Sequence, residues 1–396
     1  MYAMEEIKIR VGLCGTGFIA HGLALLFSQQ SRYQLVKVLS RRPESHFVGL
    51  PYSSLITTNV DELLEHCDVL VECSGDPFWA AQVVNKAFAA ECPVLTMNAE
   101  FQLLAGTYFE RRGVLHESEG DQPGSLAALD REVRLMGFKP LVYGAQKSFL
   151  ETDPDEKTMR YWAKFNCQSL ANTVSFTDGT KVQIEMALVA NGLGADMLKP
   201  GLVGPSCTVT RDGALALAQH AKAANKLIVD YVLNPGGQGE VFIVCEHDMQ
   251  QSSLTYFKLG QGPFYYLNKP YHLGHIEIIK SLDNIIAATI KPFNNGASPS
   301  KSVAAIAKRT LRPGTRIKNG IGCFDVRGEM VEIKDVPDHI PIALLHDAVV
   351  QRFVEPGEML SFADIEVQDG LAATAWRFTR DRALAVQKES ALREVL

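Results

Sequence analysis

VGLCGTGFIA, residues 11–20, is the stretch on which the fold turns. An apolar run through Ile7, Ile9, Val11 and Leu13 enters Gly15-Thr16-Gly17-Phe18-Ile19-Ala20, and HGLALLFSQQ (21–30) continues with helical character. Strand, glycine turn and helix form the context that a dinucleotide-binding fingerprint requires. Gly15 permits the tight turn, Gly17 lets backbone approach a pyrophosphate, and Ala20 keeps the helix close to the strand. The helix start at Thr16, Phe18 and Ile19 offers free N–H groups and the positive end of a dipole to phosphates. The same letters also occur in plain strand–turn–helix units, so the neighbouring residues decide.

The next strand, QLVKVLSRRP (34–43), ends in Ser40-Arg41-Arg42, with no carboxylate before Glu44. Sites that prefer NAD hold the ribose 2′-hydroxyl with an acid near this point. Two guanidiniums and a hydroxyl suit a 2′-phosphate instead, through charge-assisted forked contacts. The expected cofactor is therefore NADP(H), against the plainer reading of a basic surface loop.

Composition narrows the class. The chain has 396 residues, 46% hydrophobic and 21% charged, enough for two or three globular domains. A formal net charge of −6 argues against nucleic acid or an anionic membrane as partner. Eight scattered cysteines without a C-x-x-C pair fit free thiols in a reducing compartment better than disulfides or zinc. The start, MYAMEEIKIR, lacks a signal pattern, and no run of 18 apolar residues occurs, so a cytoplasmic location is expected.

Strand and helix signals then alternate: DELLEHC, DVLVECSG (68–75), FWAAQVVNKAFAA after Pro77, and PVLTMN (93–98). Such alternation implies right-handed βαβ units on a parallel sheet. Ligands collect beyond the carboxyl ends of such strands, which places Ser74, Gly75, Asp76, Asn98 and Glu100 near the nicotinamide end. The expected fold class is α/β, a Rossmann-type doubly wound sheet over 1–118. A central α+β substrate and oligomer domain follows over 119–292, with a small β-rich domain over 301–396. PDEKTMRYWAKF reads as a helix starting at Pro154, and DGTKVQIEMALVANGLG as one capped by Asp178. LIVDYVL, EVFIVCEH and SLTYFKL read as strands, HIEIIKSLDNIIAATI as a long helix, and FNNGASPSK (293–301) as a linker. Two similar phrases follow, AIAKRTLRPGTRIKNG and DAVVQRFVEPGEMLSFADI, each with a central Pro-Gly.

GDQPG (120–124), DGTKVQIEMALVANG (178–192), VDYVL (229–233), GPFYYLNKPYHL (262–273) and the paired Pro-Gly phrases together resemble one family. It is the homoserine-dehydrogenase-like oxidoreductases with a C-terminal SAF domain, a group that includes 1-deoxy-D-xylulose 5-phosphate reductoisomerase-like enzymes. The resemblance implies a Rossmann cofactor domain, a central domain for substrate and oligomer contacts, an SAF tail and a homo-oligomer. The chain departs from the family pattern at Ser148-Phe149 and at ANGLG.

Several residues are candidates for the chemistry. Asp121 and Gln122 open a helix before Pro123, where orphan N–H groups can hold a phosphate or hydroxyl; Asp121 reads as acid/base, as metal ligand, or as a simple cap. Lys147, after the strand KPLVYGA, can protonate a carbonyl oxygen or fix a phosphate, or stand in solvent. Asp178, Lys181 and Glu185 are spaced to share a helix face. A lysine in a first turn opposes the helix dipole, which favours a working role for Lys181 over an exposed ion pair. Asn191 lies on a related face as a candidate substrate donor. Glu100 follows a strand end and can take a proton or orient a hydroxyl. His272, within YHLGH, is a substrate candidate, with a core or capping histidine as the plainer reading.

These residues predict an NADPH-dependent oxidoreductase for a small, polar, phosphorylated hydroxy-carbonyl compound; the resemblance implies a reductase or reductoisomerase and a substrate such as 1-deoxy-D-xylulose 5-phosphate. Catalytic roles fall to Glu100, Asp121, Lys147, Lys181 and Glu185. Substrate contacts fall to Gln122, Asp178, Asn191 and His272. A divalent metal is compatible, with Asp121, Asp178 and Glu185 as donors of unproven convergence. The alternatives are homoserine-type oxidation of a hydroxy acid, and a non-catalytic NADP- or carbohydrate-binding protein.

Overall fold

The structure is a computed structural model that describes residues 8–395. Its first layer is built from β1 (Ile9–Cys14), α1 (Phe18–Ser28), β2 (Tyr33–Leu39), β3 (Ile56–Thr57), α2 (Val60–His66), β4 (Val69–Glu72), α3 (Pro77–Ala89), β5 (Val94–Thr96) and β6 (Leu115–Glu117). All six strands are parallel, in the order β3-β2-β1-β4-β5-β6. This is the doubly wound order, with its switch point between β1 and β4 and its ligand crevice beyond the strand ends. Helices cover both faces, so β4 and β5 are buried throughout and read as continuous apolar runs.

Between β5 and β6 runs a helix, α4 (99–109), whose middle, Gln102–Gly106, is π-helical. Such interruptions are frequent beside functional sites. Asn98 caps α4 by accepting from Phe101 N at 3.0 Å, which sets Glu100 in its first turn.

The second layer comprises α5 (Gln122–Leu135), β7 (Lys139–Lys147), α6 (Glu156–Phe165), α7 (Leu170–Thr177), α8 (Thr180–Leu193), α9 (Thr210–Ala223), β8 (Ile228–Leu233), β9 (Val241–Glu246), α10 (Gln251–Tyr256) and β10 (Phe264–Lys269). Its sheet runs β10-β9-β7-β8, with β7 and β8 parallel and the other pairs antiparallel. One face packs on α5 and α8, the other on α9. The chain then returns to the first sheet through α11 (Ile278–Ile286). Its Ile278, Leu282 and Ile285 are buried with Val11 and Leu23, each side chain contributing about 1.5–3 kcal/mol.

The last quarter holds β11 (Lys301–Ala307), β12 (Arg316–Asn319), β13 (Val326–Glu332), β14 (His346–Val350), β15 (Ile365–Glu366) and a terminal helix α12 (Leu371–Val395). β11 pairs with β13, and β12, β14 and β15 form a second small sheet. The two Pro-Gly phrases pair with each other through reciprocal Leu311 and Val354 backbone bonds of 2.9 and 3.0 Å.

Several local expectations are corrected. SLTYFKL holds a helix, α10, and not a strand. The helix after Pro154 starts at Glu156, because the Asp155 side chain accepts from Thr158 N at 2.8 Å and fixes the start there. The segment 275–290 is a short 3-10 turn followed by the nine-residue α11. FNNGASPSK begins as a buried wedge, with Phe293 and Asn295 packed between α4 and α8. α12 adds a long helix to the β-rich tail and buries Ala372, Ala375 and Trp376, its faces meeting α3 and α4.

Candidate active site

At the fingerprint turn Gly15 has φ +122°, and a Cβ there would lie 2.9 Å from the Cys73 carbonyl oxygen, so only glycine fits. A Cβ on Gly17 would meet nothing within 4 Å, so open space lies above the turn. α1 starts there with no side-chain cap and no acid in its first turn, which leaves its N–H groups free. Phe18 is exposed and Ile19 half-buried; both meet the crossing segment before α11, Phe18 edge-on to His275 at 5.9 Å. This cradle fits a dinucleotide pyrophosphate.

The Ser40-Arg41-Arg42 corner divides its labour. Ser40 is buried and accepts from Arg42 N at 2.9 Å, shaping the turn. The Arg42 guanidinium lies over Phe47 and donates to Thr16 Oγ1 at 3.3 Å, directly above the fingerprint. Arg41 reaches across to Asp76 at 2.7 Å and stacks over Trp79. Ser74 Oγ donates to the buried Glu72 carboxylate at 2.5 Å, so its hydroxyl shapes the loop. Gly75 follows with φ +67°. Asn98 is buried, with its side chain beside the Glu72 carboxylate and its Oδ1 accepting from Phe101 N.

The second half of the site forms where the two sheets meet. Asp121 caps α5 by accepting from Gln122 N at 3.0 Å, while its Oδ2 stays buried and unpartnered. A Cβ on Gly124 would fall 1.9 Å from the Ser118 carbonyl oxygen, which explains the glycine of GDQPG. Lys147, the last residue of β7, donates to Gln122 Oε1 at 2.9 Å and lies 3.2 Å from Glu185 Oε2. Lys181 donates to Glu100 Oε1 at 3.0 Å, which joins α8 to α4. His272 Nε2 lies 3.3 Å from Gln122 Nε2, and its Nδ1 is unpartnered. All five proposed catalytic residues, with Gln122 and His272, therefore converge.

Their electrostatics are coupled. Burial pushes the Glu185 carboxyl up, and the neighbouring Lys147 and Lys181 oppose that shift. Burial pulls Lys181 down, but Glu100, Asp121 and Glu185 outweigh it and leave the ammonium more basic than usual. Lys181 thus enters the site charged, as a proton donor must.

Two expected substrate contacts lie elsewhere. Asp178 is sealed against Lys308 at 2.6 Å and accepts from Thr180 N, and the helix itself begins at Gly179 and Thr180. Asn191 spends its side chain on Asn295, on the carbonyl of Lys301 and on the backbone N–H groups of Ser300 and Lys301, all at 2.9 Å. Both are structural because tertiary partners claimed them first. The metal set falls with Asp178, and Glu185 is held by Lys147. Among the described residues no three His, Cys, Asp or Glu side chains gather into a metal-holding group.

Sequence reading missed Glu117. It ends β6 and is fully buried, with its carboxyl against that of Asp121. Burial and then the adjacent Asp121 push its carboxyl well up. The strand-end rule that singled out Glu100 would have reached Glu117 had LHE been read as a strand.

Two family models match the chain. One, described as the NAD binding domain of homoserine dehydrogenase, covers residues 15–110. The other, described as the catalytic domain of oxidoreductase DRL, covers residues 120–278. No curated protein matches. Among solved structures, a putative myo-inositol dehydrogenase from Sinorhizobium meliloti 1021 is 12% identical, over 72% of this chain and 91% of that one, with a TM-score of 0.41. A UDP-N-acetylglucosamine 3-dehydrogenase from Acidithiobacillus ferrooxidans is 13% identical, over 74% and 93%, at 0.43. A probable dehydrogenase from Thermotoga maritima is 12% identical, over 72% and 90%, at 0.42.

Proposed function

We propose that this NAD(P)-dependent oxidoreductase uses NADPH to reduce a small, phosphorylated hydroxy-carbonyl compound of the 1-deoxy-D-xylulose 5-phosphate type. One observation carries the reading. Two partly buried lysines, each paired with an acid, surround the GDQPG helix start where the two sheets meet, beyond the carboxyl ends of β5 and β6. Bound NADPH supplies the hydride. Lys181, kept charged by Glu100, donates a proton to the carbonyl oxygen as negative charge develops there. Lys147, Gln122 and His272 orient the substrate's hydroxyl and anionic tail, and Glu185 holds Lys147 in place. Arg42, above Thr16, takes the 2′-phosphate, and Ser40 sets its backbone.

The test is loss of reduced-nicotinamide absorbance on mixing protein and NADPH with a panel of ketose phosphates, aldose phosphates and hydroxy acids. The reading expects turnover with a phosphorylated hydroxy-ketone and a preference for NADPH over NADH. Turnover only as homoserine oxidation, or cofactor binding with no turnover, would overturn it.

A further inference from the structure

Residues 301–396 lie outside both family matches, yet β11 and β13 among them pack against the helix that carries Lys181 and Glu185. Ten of the fourteen residues of α8 are buried, so its neighbours fix its rotation about its own axis. Lys181 and Glu185, four apart, face the site. Thr180 and Gln183 face the other way and make the side-chain bonds to β13. Thr180 Oγ1 accepts from Gly328 N at 2.8 Å, and Gln183 Oε1 accepts from Met330 N at 2.9 Å. Gln183 Nε2 also donates to Gly201 O at 2.8 Å, and Gly201 N in turn donates to Met330 O.

Just before the helix stands a second ion pair. Lys308, the residue after β11, donates to Asp178 Oδ2 at 2.6 Å and to Cys323 O at 2.8 Å. Asp178 Oδ1 accepts from Thr180 N, so the pair grips the first turn of α8. Lys308 and Asp178 side chains are 1% and 0% exposed, against 12% for both Lys181 and Glu100. A sealed ion pair seldom adds net stability over an apolar pair of similar size; its best-attested use is to fix register. At the far end Asn191 locks α8 to the start of β11 and, through Asn295, to α4, which bears Glu100.

We infer that the C-terminal strands are a positioning part of the active site, with Lys308, acting through Asp178, and the β13 backbone setting the rotation of α8 that aims Lys181 at Glu100. Lys308 is thus a positioning residue. Its effect on turnover rests on the proposed reductase reading, but its effect on Lys181 does not.

Thr180→Val keeps shape and removes one bond to β13. Asp178→Asn with Lys308→Met removes the sealed pair without leaving a lone buried charge. Each variant is measured where circular dichroism shows it folded. NADPH affinity should stay as in the wild type, while kcat falls by up to about a hundredfold, the scale for displacing a reacting group by an ångström, with KM less affected. Acylation of Lys181 by an amine-reactive ester, read by peptide mass spectrometry, should quicken severalfold when Lys181 loses Glu100, because more of it is then the free amine. A lower melting temperature with wild-type kcat and wild-type Lys181 acylation would overturn the inference. If the paired variant does not fold, Thr180→Val decides alone. If the wild type turns over no substrate, the reductase reading fails, and the acylation rates still decide the role of Lys308.

Discussion

The two ends of the crevice are built in opposite ways. The nucleotide end is open and local: Gly15, Thr16, Gly17 and the Ser40-Arg41-Arg42 corner come from two consecutive strand ends. The substrate end is closed and composite, with Glu100 from α4, Glu117 from β6, Asp121 and Gln122 from α5, Lys147 from β7, Lys181 and Glu185 from α8, and His272 from the crossing segment. A cofactor gripped by backbone and phosphate contacts needs little burial. A developing alkoxide needs charge held in a dry, preorganised place. Substitutions should therefore act on binding at one end and on chemistry at the other.

The sharpest way to break this contrast is Lys181→Met. Loss of a general acid costs about 10²–10⁴-fold, so kcat should fall on that scale while NADPH affinity, measured by fluorescence titration, stays constant. A parallel loss of affinity would mean the two ends are not separable. Glu100→Gln comes next. It removes the leading influence that raises Lys181, so the alkaline limb of the kcat profile should move to lower pH, with the plateau reduced less than by Lys181→Met. An unmoved limb would detach Glu100 from Lys181. At the open end, Arg42→Ala should weaken NADPH about ten- to a hundredfold, the worth of one hydrogen bond to a charged group, about 1.5–3 kcal/mol. NADH affinity and kcat should be nearly unchanged. Equal weakening of both cofactors would place the 2′-phosphate elsewhere.

The smallest effect is on stability. His116, on β6, is buried, accepts from Phe293 N at 2.9 Å, and is held down to about 3 by burial. The unfolded chain binds this proton below about pH 6.5, whereas the folded one does not until about 3. Stability is thus lost as pH falls through that window. His116→Gln should flatten the acid side of a melting-temperature profile between those values. An unchanged slope would remove His116 from the account.

The contrast also explains what was legible in the sequence. The nucleotide end could be read because each of its features spans a few residues: a glycine turn, a missing acid, a pair of arginines. At the substrate end the residue types were readable but their partners were not. Asp178 and Lys181 looked alike on one helix, yet they face opposite ways because Lys308, 130 residues later, claims Asp178. Asn191 looked like a donor to substrate until Ser300 and Lys301 took both ends of its amide. FNNG read as a linker because Asn and Gly dominate turns, but Asn295 spends its amide on Thr107, Leu103 and Asn191 inside the core. Glu117 was passed over because an acid in HESEG has the look of a solvated loop.

The most direct measurement is NADPH oxidation by the wild type and by Lys181→Met, side by side, with the best phosphorylated hydroxy-ketone from the panel. The account expects substrate-dependent oxidation by the wild type and a loss of about 10²–10⁴-fold in the variant at unchanged NADPH affinity. Equal rates in the two proteins would show that the proton comes from elsewhere and would contradict it.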